Sequence, residues 1–181
     1  MAGPVESEIK LRMPGPGPAR EAVARLGATL VRPRHFEDNV LLDDAAGTVA
    51  ESGRALRLRR TDAGAVLTFK GRRTDREGVK SREEIEASLP AAEADALLDI
   101  LRRVGFAPVF RYQKYRETWR HGDVEIVVDE TPIGTFLEIE GSLPGIHAAA
   151  AALGRGPSDY VTESYAALFL ASGGTGDMVF P

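Results

Sequence analysis

Apolar and charged residues alternate along this chain with a period of two, and the alternation predicts β-strands with one apolar and one charged face. In the first strand Val5, Ile9 and Leu11 share one face, while Glu6, Glu8, Lys10 and Arg12 share the other. Leu56-Arg57-Leu58-Arg59 sets two arginines against two leucines, and Val66-Leu67-Thr68-Phe69-Lys70 sets Thr68 and Lys70 against Leu67 and Phe69. Arg82-Glu83-Glu84-Ile85-Glu86 aligns Arg82, Glu84 and Glu86 opposite Ile85, and Lys114-Tyr115-Arg116 adds two cations in register. Glu125 to Asp129 alternates with Val124, Ile126 and Val128, and Phe136-Leu137-Glu138-Ile139-Glu140 repeats the carboxylate pair of the first strand. One such strand would predict only a solvated face. Dense Arg and Glu on strand after strand, nearly balanced in sign, predict faces that meet each other.

Between the strands the signals change. Pro14-Gly15-Pro16-Gly17-Pro18 reads as a loop leading into a helix from Ala19 to Leu26, closed by Gly27. Val31 to Leu42 reads as a strand, and Asp62-Ala63-Gly64 between Leu56–Arg60 and Val66–Lys70 reads as a hairpin turn. Pro90 to Val104 carries Leu97, Leu98, Leu101 and Val104 at spacings of three and four, which predicts a helix. Phe106–Arg120, Val124–Asp129 and Thr135–Glu140 form a second meander, followed by short helices over Ile146–Leu153 and Tyr165–Ala171. The expected organisation is one domain over 1–172, with 173–181 a disordered tail. Alternation implies antiparallel strands, and about eight of them close into a barrel with a polar interior. The expected class is α+β: a closed eight-stranded antiparallel β-barrel with flanking helices.

Composition narrows the partners. A chain of 181 residues suffices for one well-buried domain, and a formal net charge of −4 argues against a general nucleic-acid binder. Without cysteine there is no disulfide framework, zinc-thiolate site or thiol nucleophile. Met1 to Glu8 lack the basic-then-apolar order of a secretory leader, and Ala148 to Leu153 is too short to cross a bilayer, so no membrane and a cytoplasmic location are expected. His35, His121 and His147 show no metal-ligand spacing and read as surface or packing residues; Trp119, Tyr112 and Tyr115 read as core aromatics. The run Lys70 to Arg76 reads as a solvated basic loop.

The charged faces carry the candidate chemistry. Paired carboxylates suit a hard divalent ion such as Mg²⁺ or Mn²⁺, and a neighbouring ammonium takes the anionic oxygens of a phosphate chain. The ordered set Glu6-x-Glu8-x-Lys10, Leu56-Arg57-Leu58-Arg59, Thr68-Phe69-Lys70-Gly71, Arg82-Glu83-Glu84-Ile85-Glu86, Lys114-Tyr115-Arg116 and Leu137-Glu138-Ile139-Glu140 resembles the CYTH superfamily of triphosphate tunnel metalloenzymes, over roughly residues 5 to 170. Within it the chain looks closest to proteins labelled class IV adenylyl cyclase and is also similar to thiamine triphosphatases and bacterial inorganic triphosphatases.

The resemblance implies a triphosphate tunnel in which Glu6, Glu8, Asp129, Glu138 and Glu140 hold Mg²⁺ or Mn²⁺, with Asp129 a ligand or a water-orienting base. It implies that Lys10, Arg57, Arg59, Lys70, Arg82, Lys114 and Arg116 bind the triphosphate, with Asp129 and Lys70 as the catalytic pair. Glu84, Glu86 and Glu125 are expected to be internal salt-bridge partners. Ser164 and Tyr165 match a position that packs a helix over the tunnel, and a homodimer is a family-level expectation. A triphosphate carries about four negative charges, and its transfer is accelerated mainly by in-line positioning and charge neutralisation. The expected activity is metal-dependent hydrolysis of a small triphosphate: inorganic tripolyphosphate, thiamine triphosphate or a nucleotide. The alternatives are cyclisation of ATP to cyclic AMP and pyrophosphate, and a non-catalytic polyphosphate or nucleotide sensor.

Overall fold

The period-two segments form nine strands: β1 (Val5–Met13), β2 (Thr29–Asp43), β3 (Ala55–Thr61), β4 (Gly64–Lys70), β5 (Thr74–Arg76), β6 (Val79–Leu89), β7 (Ala107–His121), β8 (Val124–Thr131) and β9 (Gly134–Glu140). The helices are α1 (Pro16–Arg25), α2 (Thr48–Glu51), α3 (Ala94–Arg103), α4 (Leu143–Ala152) and α5 (Tyr165–Ala171). The computed structural model describes residues 5–181; Met1 to Pro4, where the expected domain and the leader comparison begin, lie outside the described residues.

Every strand pairing is antiparallel, in the order β1-β9-β8-β7-β2-β3-β4-β6, and β6 pairs back onto β1. This closes an eight-stranded barrel, as the alternation predicts, with the short β5 added outside β6. Closure pairs the eight barrel strands round the ring and turns one face of every strand inward. The charged face is the inward one, so the apolar faces point out and must be covered from outside.

Helices do the covering, and the hydrophobic core therefore lies around the barrel rather than in it. α1 and α4 cover β1, β8 and β9, where Ile9, Ile126, Leu137 and Ile139 are fully buried beside Val23 and Ile146. α3 covers β2, β3 and β4 through Leu98 against Leu42 and Leu58. One end of the barrel is filled by Tyr112, Phe136, Tyr165 and Met178. Among the described residues no helix is long and apolar enough to cross a membrane.

Several boundaries differ from the sequence expectation. The helix expected from Pro90 begins as a 3₁₀ turn over Ala91–Glu93, and α3 proper starts at Ala94. β6 runs from Val79, three residues before the expected start, because its N-terminal half pairs with β1. β5 and α2 had no periodic signal. The tail 173–181, expected to be disordered, is held in place: Met178 is fully buried, its N–H donates to Arg111 O at 2.9 Å, and its carbonyl accepts from Gln113 N–H at 2.9 Å. β8 pairs with β7 only from Tyr115 onward, so the backbone of β7 before that residue has an open side, which the tail occupies.

Candidate active site

The inward positions enclose a cavity of about 1200 Å³ that reaches strands all round the barrel. Because closure aligns alternate residues of each strand, the faces predicted one strand at a time now confront each other. β1 contributes Glu6, Glu8 and Lys10; β3 Arg57 and Arg59; β4 Lys70; β6 Lys80, Arg82 and Glu84; β7 Lys114 and Arg116; β9 Glu138 and Glu140.

These groups form a chain of alternating charge round the wall. Lys80 contacts Glu8; Lys10 lies 3.0 Å from Glu8 and 3.3 Å from Glu138; Arg116 contacts Glu138 and lies 2.6 Å from Asp129. Lys114 follows at 2.9 Å from Asp129 and 3.6 Å from Glu37, and Arg59 stands 3.8 Å beyond on Glu37. Separately, Lys70 pairs with Glu84 and lies 3.7 Å from Glu6, while Glu86 meets Arg57 and Arg59 at 3.6 Å and accepts from the Thr68 hydroxyl at 2.8 Å. Charges this deep need such pairing, because an isolated buried ion is far costlier than a paired one.

On one side the carboxylates crowd together. Glu8, Glu138 and Glu140 each place an oxygen within 4.8 Å of the others, and Glu6 hydrogen-bonds to Glu84 and Glu140 beside them. Their acidities diverge. Burial would raise Glu8, but Lys10 and Lys80 outweigh it, and Lys10 and Arg116 do the same for Glu138, so both lie well below the usual carboxylate range. Burial and the neighbouring Glu6 push Glu140 well above that range, and burial with the Glu84 carboxyl pushes Glu6 up to about 7. This donor set, all hard oxygen and short of positive charge at Glu140, fits a hard divalent cation.

The structure brings Lys10, Arg57, Arg59, Lys70, Arg82, Lys114, Arg116, Glu6, Glu8, Glu138 and Glu140 to one cavity. Asp129, the expected ligand or base, is not among the residues that line the cavity. It lies wholly buried on the inward face of β8, opposite Arg116 and Phe136, and is covered by the groups from which it accepts: Lys114 at 2.9 Å, Arg116 at 2.7 and 2.6 Å, and the Tyr165 hydroxyl at 2.8 Å. Both of its oxygens accept from these buried donors, so it anchors two cations. Arg82 sits apart from the ion-pair chain and donates to Gly53 O at 3.4 Å. Tyr165 closes the barrel end with Lys10 and Lys114 over its ring at 5.3 and 5.4 Å. Tyr115 and Trp119 lie outside the barrel: Tyr115 stacks under Arg34 at 3.5 Å, and the Trp119 indole donates to Glu117 at 2.8 Å.

Two interior groups escaped the sequence reading. Lys80 stands two residues before Arg82 and so shares its face; the strand simply begins earlier than its charge pattern suggested. His35 and Glu37 occupy alternate inward positions of β2, 9 % and 2 % exposed. A single carboxylate amid Pro33, Arg34 and Asp38 carried no visible signal, although the spacing of two was present.

Comparison with known proteins adds to this geometry. The family model described as CYTH domain matches residues 5–155. A Methanocaldococcus jannaschii protein provisionally named an adenylate cyclase is 28% identical over 144 residues, which is 79% of this chain and 80% of that one. A Hippeastrum protein, provisionally named an adenylyl cyclase and described as having a dominant triphosphatase activity, is 25% identical with a TM-score of 0.72, over 94% of this chain and 97% of that one. A Vibrio parahaemolyticus structure, also provisionally named an adenylate cyclase, is 18% identical with a TM-score of 0.79, over 93% and 99% of the two chains, and shows the same fold.

Proposed function

The chain belongs to the CYTH domain family, and from that premise we propose that it hydrolyses a small triphosphate inside the tunnel with the aid of a divalent metal ion. One observation carries the reading: the group Glu8, Glu138 and Glu140 shares a cavity with a wall of lysines and arginines. Glu8, Glu138 and Glu140, with Glu6 beside them, would hold Mg²⁺ or Mn²⁺. Such an ion supplies charge neutralisation on the phosphate under attack and a more acidic water. Lys10, Arg57, Arg59, Lys70, Lys114 and Arg116 bind the phosphate oxygens and set the chain in line, the guanidinium groups as bidentate forks. Asp129 holds Lys114 and Arg116 at the depth where they meet those oxygens. Lys70 lines the cavity beside the acidic group and completes the grip on that side.

Hydrolysis ranks above cyclisation on two grounds. The Hippeastrum relative is described by its triphosphatase activity, and among the described residues the aromatic rings lining the cavity are Tyr112 and Tyr165, which sit in the filled end. Cyclisation, in which the ribose 3′-hydroxyl of ATP attacks the α-phosphorus and pyrophosphate leaves, is favoured by the names of the relatives. It would require a base pocket elsewhere. A sensor would gain little from three clustered carboxylates beside the phosphate path.

One product assay separates these readings. Tripolyphosphate, thiamine triphosphate and ATP are each incubated with Mg²⁺ or Mn²⁺. The expected result is orthophosphate from at least one, abolished by a chelator and reduced about 10²-fold or more in Lys10→Ala and Glu138→Ala. Cyclic AMP with equimolar pyrophosphate would establish cyclisation instead. Tripolyphosphate binding without turnover would establish the sensor.

A further inference from the structure

Glu37 is a buried carboxylate for which the phosphate-gripping and metal-holding roles have no use. It points inward from β2, opposite Lys114 in the register with β7, and belongs to no carboxylate cluster among the described residues. Its contacts are loose: His35 Nε2 at 3.4 Å, Lys114 Nζ at 3.6 Å and the Arg59 guanidinium at 3.8 Å. Its Oε2 accepts no hydrogen bond from the protein. Asp129, the other carboxylate that shares Lys114, is held by three donors at 2.6 to 2.9 Å. Short directed bonds fix a side chain, whereas contacts beyond hydrogen-bonding distance do not. Asp129 is therefore an anchor, and what Glu37 adds to the wall is chiefly negative charge.

That charge is costly and effective at once. Burial opposes its ionisation, but the positive charges of Lys114, Arg116 and Arg59, with the His35 ring beside them, hold Glu37 well below the usual carboxylate range. At 2 % exposure it is poorly screened, so its field acts on the neighbouring cations with little attenuation by water. A tunnel lined by Lys10, Arg57, Arg59, Lys70, Lys114 and Arg116 faces a problem of retention. Binding that is equal for substrate, transition state and product lowers KM without raising kcat, and slow product release then limits turnover.

We propose that Glu37 is a counter-charge that weakens the hold of Lys114 and Arg59 on phosphate, so that the cleaved product leaves the tunnel. The inference rests on the triphosphate reading above. It makes Glu37 a residue that acts through Lys114 and Arg59 without touching substrate. It also gives this barrel wall two carboxylates of opposite purpose: Asp129 places the cations, and Glu37 tempers them.

The test compares Glu37→Gln with the wild-type chain on tripolyphosphate, with Mg²⁺ or Mn²⁺ present. Neutralising the carboxylate is expected to lower both KM and the inhibition constant for pyrophosphate about tenfold, with a fall in kcat; the unfolding midpoint falls as well, since a carboxylate held below its ordinary range stabilises the fold. A purely structural role predicts the lower midpoint with KM and product inhibition unchanged or weaker. Glu37→Asp, which withdraws the charge by one methylene, should shift KM and product inhibition in the same direction by less, and it carries the test if Glu37→Gln does not fold. KM and product inhibition that stay constant or weaken overturn the proposal. If the wild-type protein turns over no triphosphate, the hydrolytic reading falls, and calorimetric binding of tripolyphosphate then decides on Glu37 alone: tighter in Glu37→Gln supports it, equal or weaker overturns it.

Discussion

At the scale of single residues, partners matter more than identity. Glu138 and Asp129 are both carboxylates on neighbouring strands, yet Glu138 faces a cluster of acids and Asp129 faces three donors. Asp129→Asn removes the charge that Lys114 and Arg116 share, and breaking a buried pair on one side costs roughly 3–5 kcal/mol, measurable by chemical denaturation. Glu6 makes a pH prediction. Its folded-state pKa of about 7 lies above the ordinary 4.5, so between these values the folded protein binds more protons than the unfolded chain. Its contribution to stability is present at low pH and lost as pH rises through about 4.5 to 7. In metal-free protein, urea unfolding should show that decline, and Glu6→Gln should flatten it. Lys80 shows how a residue escapes the sequence reading: its parity placed it inside with Val79 on the apolar face, but Ser81 interrupts the apolar side of the alternation before Arg82 and hid the true start of the strand.

Elements carry these residues to their places, and here tight turns matter. Gly141 joins β9 to α4 directly after Glu140, at φ +153°, and an added Cβ would lie 2.9 Å from Val124 Cγ1 and 3.2 Å from Asp123 O. Its N–H donates to Ser7 O at 3.1 Å, tying the end of β9 to β1. Gly141→Ala should therefore destabilise by about 1–3 kcal/mol through backbone strain and the close approach. Activity should fall in the folded fraction as well, because Glu140 moves with the turn; thermal unfolding and kcat check the two separately. Strand faces and the Asp62-Ala63-Gly64 hairpin were legible because both are local properties of the backbone. The start of β6, the short β5 and the docking of the tail were not, since each is decided by a backbone edge that another segment leaves open.

The whole molecule divides its labour between the two faces of one closed sheet. Apolar residues turned outward meet α1, α3 and α4 and supply cohesion, while the inward residues enclose a cavity of paired charges. Substitutions on opposite faces of the same strand should thus separate. Ile9→Ala, from a fully buried position outside the barrel, should cost roughly 2–5 kcal/mol of stability and leave kcat of the folded protein little changed. Its neighbour Lys10, 3.0 Å from Glu8 and 3.3 Å from Glu138, is expected to lose activity on truncation by the factor given above. Denaturation curves and initial rates on the same preparations test the contrast.

The sequence by itself determined which residues face inward, that the strands are antiparallel, and that carboxylates and cations share the interior. Those follow from the direction of successive Cβ atoms and from the ordered motifs, which need only neighbours in the chain. Tertiary structure alone decided which charges meet. Glu8 stands opposite Glu140 on one side and Lys80 on the other because β1 closes the barrel between β9 and β6. Asp129 and Glu37 both come to lie beside Lys114 for the same reason. The depth of a side chain and the charges it faces are set by strands far away in sequence, and an alternating pattern carries no record of which strand will lie beside it.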